Sequence, residues 1–202
     1  MTASHPAAPI RHYRMALSGH CHRVELLLSL LGLPYENVDV DLAAREHKSP
    51  AFLARNRFGQ VPVIEDGEIT LADSNAIMVY LEARYAPGRF MPRDPAGAAR
   101  VQRWLSVAAR IITLFRRADD PQPAIARAQQ LFGVMEAELA ERPWLAGTET
   151  TLADLANYAY VARAPEGNVS LQDYPALRAW LQRIEALPGF VPFVKSPVGL
   201  PA

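Results

Sequence analysis

The stretch VPVIEDGEITLAD, Val61–Asp73, constrains this chain more than any other. It is two short apolar runs flanking Asp66-Gly67, a dipeptide suited to a tight hairpin turn. Upstream, IRHYRMA (Ile10–Ala16) reads as a strand. Cys21–Leu31 reads as a helix that is apolar nearly all round, and Gly32 is its natural stop. YENVDVDL (Tyr35–Leu42) alternates as a second strand, and REHKSPAFLARN follows as a loop with a short helix. Downstream, Ser74–Tyr85 spaces Ile77, Met78, Tyr80, Leu81 and Tyr85 along one helical face.

The resulting order, strand-helix-strand and then strand-strand-helix, is that of a thioredoxin-like sheet. Pro87, Gly88, Pro92 and Pro95 then punctuate the chain, so a linker is expected at 87–95. Beyond it GAARVQRWLSVAARIITLF, AIARAQQLFGVMEAELA, LADLANYAYVARA and YPALRAWLQRIEAL all show helical spacing, and no convincing strand is found. The expected organisation is a flexible leader at 1–9, an α/β thioredoxin-like domain at 10–86, the linker, and an all-α domain at 96–202. Trp180 and the other aromatics at helical spacing are expected in the core.

Composition narrows the partners. Among 202 residues, 21 Lys and Arg balance 21 Asp and Glu, so no global field gathers nucleic acid or an anionic membrane. No apolar run approaches the roughly 18 to 20 residues that span a bilayer, and the start MTASHPAAPI lacks the features of a secretory signal. One cysteine forms no internal disulfide, which agrees with a reducing, cytoplasmic setting. A Walker loop, a dinucleotide glycine fingerprint and a nucleophile elbow are all missing. The remaining partner class is a small molecule or another protein chain.

LSGHCHRV, Leu17–Val24, gathers Ser18, Cys21, His20 and His22 at the start of the first helix. Neighbours in sequence do not converge on one ion without a sharp bend, so no metal site is expected. Ser18 is either an N-cap or a hydroxyl used in chemistry. Cys21 has the spacing of the inner cysteine of a C-x-x-C motif with serine in first place, which favours a semi-buried helix residue over a reactive thiol. A thiol at a helix N-terminus nevertheless has a route to a depressed pKa. His20 and His22 are expected to flank a pocket mouth.

Arg45–Tyr85, with GQVP at Gly59–Pro62, ADSNAI at Ala72–Ile77 and EHK at Glu46–Lys48, resembles the glutathione-binding half of a glutathione S-transferase. TLAD at Thr151–Asp154 matches the N-capping box of that family's helical domain. The likeness covers nearly the whole chain after the leader, and its features are of the serine type, similar to the phi and theta classes.

The resemblance implies a cis bond before Pro62 that presents the backbone of Val61, beside Gln60, to the cysteinyl part of glutathione in the manner of strand addition. It implies that Ser74 and the amides of its helix hold the γ-glutamyl carboxylate, with Asp73 on the amino group and His47 and Lys48 near the glycine carboxylate. Ser74 as a plain N-cap stays open beside that role. Ser18 would activate the thiol, because only the thiolate is a good nucleophile and a hydroxyl hydrogen bond lowers its pKa.

The resemblance also implies a small hydrophobic electrophile, for which Leu17, Trp104, Ile111, Ile112, Phe115 and Tyr158 are the candidate contacts, with Arg110 to orient it. The segment Ser106–Ala126 looks short for the family, which bears on that pocket wall and on the dimer contact. The resemblance implies a glutathione-dependent homodimeric transferase of the detoxification type, attacking an electrophile or a peroxide, with no metal. A binding or regulatory protein with little turnover, and a thiol transferase using Cys21, remain the alternatives.

Overall fold

The computed structural model describes residues 5–115 and 122–196, with the side chains of 110–115 outside the description. Four strands, β1 (Ile10–Arg14), β2 (Tyr35–Asp39), β3 (Val63–Asp66) and β4 (Ile69–Ala72), pair in the order β2-β1-β3-β4. β1 and β2 are parallel, a pairing that needs a long crossover, and α1 (Gly19–Leu30) supplies it. β3 is antiparallel to both β1 and β4.

The hairpin differs from expectation by one residue. Asp66 is paired with Ile69, and the two-residue loop is Gly67-Glu68, with Gly67 at φ +59°. Asp66 is thereby kept in the strand. Its Oδ2 accepts the hydroxyls of Tyr80 (2.7 Å) and Tyr85 (2.6 Å) from α3 (Ser74–Tyr85), tying hairpin to helix. Burial, reinforced by that carboxylate, pushes both phenols up to about 12.

The sheet has two unlike faces. Tyr13 and its partner Val63 face α2 (Pro50–Arg55), where Tyr13 meets Phe52 edge to face and Val40 completes the cluster. The other face carries Ile10, Ile64 and a fully buried His12. His12 Nδ1 lies 2.9 Å from Asn37 Oδ1, and Asn37 Nδ2 donates to Glu25 of α1 (2.8 Å). Glu25 also takes Arg14 Nη1 (2.6 Å). Since the Asn37 amide hydrogens point to Glu25, its oxygen accepts and His12 Nδ1 carries the hydrogen.

Burial lowers the His12 pKa from 6.5 to about 4, against the opposing pull of Asn37 and Glu25. An unfolded chain protonates this ring from about pH 6.5 downward while the native one resists to about pH 4, so stability falls as pH drops through that window. The loss expected is about 3 kcal/mol. Urea unfolding at pH 7, 5.5 and 4 measures it, and a flat profile would contradict the buried neutral imidazole.

α1 ends in a Schellman arrangement: Leu33 N–H bonds Leu28 O, Gly32 N–H bonds Ser29 O, and Gly32 sits at φ +64°. Its nearly all-round apolar surface has a specific cover. Pro188–Val194, expected in the all-α half at 96–202, forms one unit with the residues through Arg89. It lies along α1: Ser29 Oγ donates to Gly189 O (2.7 Å) and the His22 ring packs on Phe193 at 4.8 Å.

The second unit comprises Phe90–Leu187 and the residues from Lys195. It holds α4 (Pro95–Phe115), α5 (Gln122–Glu141), α6 (Leu152–Ala162) and α7 (Pro175–Glu185). Among the described residues its only extended pairing is an isolated bridge between Trp144 and Gly147. Trp104, Phe132 and Trp180 are fully buried, so the expectation of core aromatics holds for them. The capping box is formed, with Thr151 bonding the Ala153 amide and Asp154 accepting the Thr151 amide. Among the described residues no helix is long and apolar enough to cross a membrane.

Candidate functional site

Strand register brings three motif-bearing segments of the first unit to one end of the sheet. Val63 opposes both Tyr13 and Ala72. The residues just before Val63, the loop after Arg14 and the segment after Ala72 therefore share that end. The first is Val61-Pro62, whose peptide bond is cis. The second leads through Met15 and Leu17 to Ser18, and the third is Asp73-Ser74.

Ser18 is the N-cap of α1, its Oγ accepting the Cys21 amide at 3.3 Å. Capping uses a lone pair and leaves the hydroxyl hydrogen for another acceptor. Leu17, beside it, is 53% exposed. Cys21 is 1% exposed, its sulfur 3.5 Å from the Met15 amide. Burial pushes the thiol above its ordinary value, and the Ser18 hydroxyl and Met15 amide pull it only part of the way back. That is the environment of a packed thiol, not of an exposed nucleophile.

Ahead of the cis bond, Asn56 organises the turn. Its side chain is buried, takes the Phe58 amide (3.1 Å) and donates to Gln60 O (2.8 Å). Lys48, at the end of the 3-10 turn Glu46–Lys48, donates to Phe58 O (3.0 Å) and Gly59 O (2.9 Å). A Cβ on Gly59 would fall 2.6 Å from His47 O and 2.8 Å from Lys48 Nζ, and φ there is +57°, so only glycine fits. His47 and Lys48 are in this way held against the backbone that leads into exposed Gln60 and half-buried Val61.

At the third segment Asp73 adopts φ +72° and caps α3, its Oδ1 accepting the amides of Asn75 and Ala76 at 3.0 Å each. Those two amides, expected to face a ligand, are thus taken by Asp73. Ser74 is buried, with Oγ 3.1 Å from His20 Nδ1 and 3.5 Å from Arg23 Nη1. Arg23 Nη1 also donates to Asn75 Oδ1 at 3.0 Å. His20 links the starts of α1 and α3.

His22, expected beside His20 at a pocket mouth, is instead buried, and its Nε2 donates to Val191 O at 2.7 Å. A residue two places along a helix turns about 200° away, which separates the two rings. Asn56 carries no motif in the sequence, where an amide shortly before a glycine turn is its one signal, and Arg23 stands out there only as a charge inside an apolar helix.

Of the expected acceptor residues in the second unit, Trp104 and Tyr158 are core: they are 2% and 3% exposed, and the Tyr158 hydroxyl donates to Glu185 (2.9 Å). Arg110, Ile111, Ile112 and Phe115 have side chains outside the described residues. Among the described residues no three His, Cys, Asp or Glu side chains cluster to hold a metal.

The family model for the glutathione S-transferase N-terminal domain matches residues 8–83, and that for the C-terminal domain matches 106–188. Glutathione S-transferase 3 of Zea mays is 37% identical over 91% of this chain and 92% of its own. Human glutathione S-transferase theta-2B is 32% identical, covering 78% of this chain and 73% of its own. The crystal structure of a glutathione S-transferase from Pseudomonas fluorescens superposes with TM-score 0.81 at 32% identity, over 93% of this chain and all of that one. With both domain models matched and the sheet, cis bond and capping box in their places, the chain belongs to the glutathione S-transferase family and is a glutathione transferase enzyme.

Proposed function

We propose that the first unit binds glutathione along Val61, with its γ-glutamyl end at Asp73 and Ser74 and its glycine end toward His47 and Lys48. Ser18 then stabilises the thiolate for attack on a small hydrophobic electrophile or a peroxide. The observation that carries this reading is the single end of the sheet shared by the Ser18 loop, the cis bond and the start of α3. A tripeptide needs a backbone partner at its centre and polar holds at both ends, and the cis bond, the start of α3 and the Lys48 contacts to Phe58 O and Gly59 O support this reading. The thiol gives its proton to water, and the thiolate sulfur bonds the electrophilic atom. The bond from that atom to the displaced group, the O–O bond in a peroxide, breaks with its electron pair going to the leaving group, which takes up a proton where it is an alkoxide.

Calorimetry tests the γ-glutamyl assignment. Ser74→Ala is expected to weaken glutathione binding about tenfold, the worth of one hydrogen bond to a charged group. Equal affinity would sink it.

The enzyme is further proposed to work in the cytoplasm as a two-fold homodimer, the first domain of one chain against the helical domain of the other, which is the commonest closed symmetry. Phe58, 80% exposed on the first unit, is apolar surface that a second copy would cover. Light scattering at micromolar concentration should give twice 22.3 kDa. A monomer mass would refute the dimer.

A further inference from the structure

We infer that His20 is a positioning residue that fixes the Ser74 hydroxyl as a donor, and so decides which of the two charged groups at the γ-glutamyl end it receives. This rests on the reading that Ser74 meets that end.

A serine hydroxyl has one hydrogen and two lone pairs. Arg23 Nη1 can only donate, so its approach to Ser74 Oγ, long at 3.5 Å, falls on a lone pair. His20 Nδ1, at 3.1 Å, can take either role. Were Nδ1 unprotonated, it would capture the hydroxyl hydrogen and leave a lone pair facing the ligand, which suits an ammonium. With Nδ1–H the second lone pair is filled and the hydrogen is the one remaining function, so Ser74 offers only a donor and takes a carboxylate.

Three observations favour a carboxylate over an ammonium at Ser74, the ligand that the second arrangement serves. Arg23 is fully buried and its guanidinium reaches both Ser74 and Asn75, which adds positive potential behind the hydroxyl. Ser74 begins the twelve-residue α3, whose N-terminal dipole has the same sign. Asp73, exposed next to it, offers the negative charge that an ammonium would prefer. Carboxylate to Ser74 and ammonium to Asp73 follow, and the polarity of the ligand along the site is set.

The test combines a spectroscopic signature, a mutant cycle and a rescue. In the glutathione complex, ring-nitrogen NMR should show His20 Nδ1 protonated. His20→Ala should weaken glutathione binding about fivefold to tenfold in the parent and leave it unchanged in the Ser74→Ala background, because the ring acts through that hydroxyl. His20→Asn places an amide N–H near the position of Nδ1 and should restore affinity to within about threefold of the parent. An unprotonated Nδ1 in the complex, an equal loss from His20→Ala in both backgrounds, or failure of His20→Asn to rescue overturns the inference while leaving Ser74 as the γ-glutamyl contact. Unchanged affinity in Ser74→Ala alone overturns the underlying reading and the inference with it.

Discussion

Ser18→Ala is expected to lower turnover with glutathione about tenfold to a hundredfold at neutral pH, the consequence of losing about 1.5 to 3 kcal/mol of hydrogen bonding to a thiolate. The apparent pKa of the bound thiol, read from the pH dependence of kcat/KM, should rise with it. The same substitution removes the N-cap of α1, costing about 1 kcal/mol of stability. Melting curves will separate that loss from the chemical one, since a folded but slow enzyme is the expected result. Cys21→Ala keeps the backbone amide that Ser18 caps and removes a thiol that burial already holds protonated. Its turnover should stay within about twofold, because no transition-state contact is lost. The reverse pattern, with Cys21→Ala inactive and a mixed disulfide trapped on Cys21, would transfer the chemistry to the cysteine.

The largest stability effect is expected at Asp154. Its carboxylate is fully buried and accepts four donors: the amides of Leu145 (2.9 Å) and Thr151 (2.9 Å), the Thr151 hydroxyl (3.1 Å) and Trp180 Nε1 (2.9 Å). Burial pushes the carboxyl upward and these donors pull it back. Asp154→Ala strands all four in the core of the second unit, a loss of about 3 to 5 kcal/mol. Asp154→Asn should be nearly as damaging despite its equal size, because an amide turns two hydrogens toward groups that can only donate or prefer to. Thermal unfolding should fall by about 10 °C for either variant. A drop of less than about 3 °C would show that the box contributes little beyond starting α6.

Local chemistry made much of this molecule legible. Helix α3 runs over the Ser74–Tyr85 span that its apolar spacing predicts, the hairpin falls within one residue of its Asp-Gly signal, and TLAD forms its capping box. Each of these depends on residues within a turn or two of one another, so the sequence carries the pattern directly. The strand expected over Tyr35–Leu42 stops at Asp39, because its partner β1 ends at Arg14 and pairing ends with it. The apolar surface of α1 announced burial, yet the segment that covers part of it lies far along the chain, with Val191 169 residues from His22. The same holds at the site. Ser18 and Ser74 stand out by motif, whereas the contacts of His20 and Arg23 do not, because their partners on α3 lie 54 and 52 residues away. Periodicity and capping signals report what a residue does with its neighbours in sequence. Which lone pair a hydroxyl has left for a ligand depends on groups that only packing brings within 3 to 3.5 Å, and that was decided by the tertiary structure.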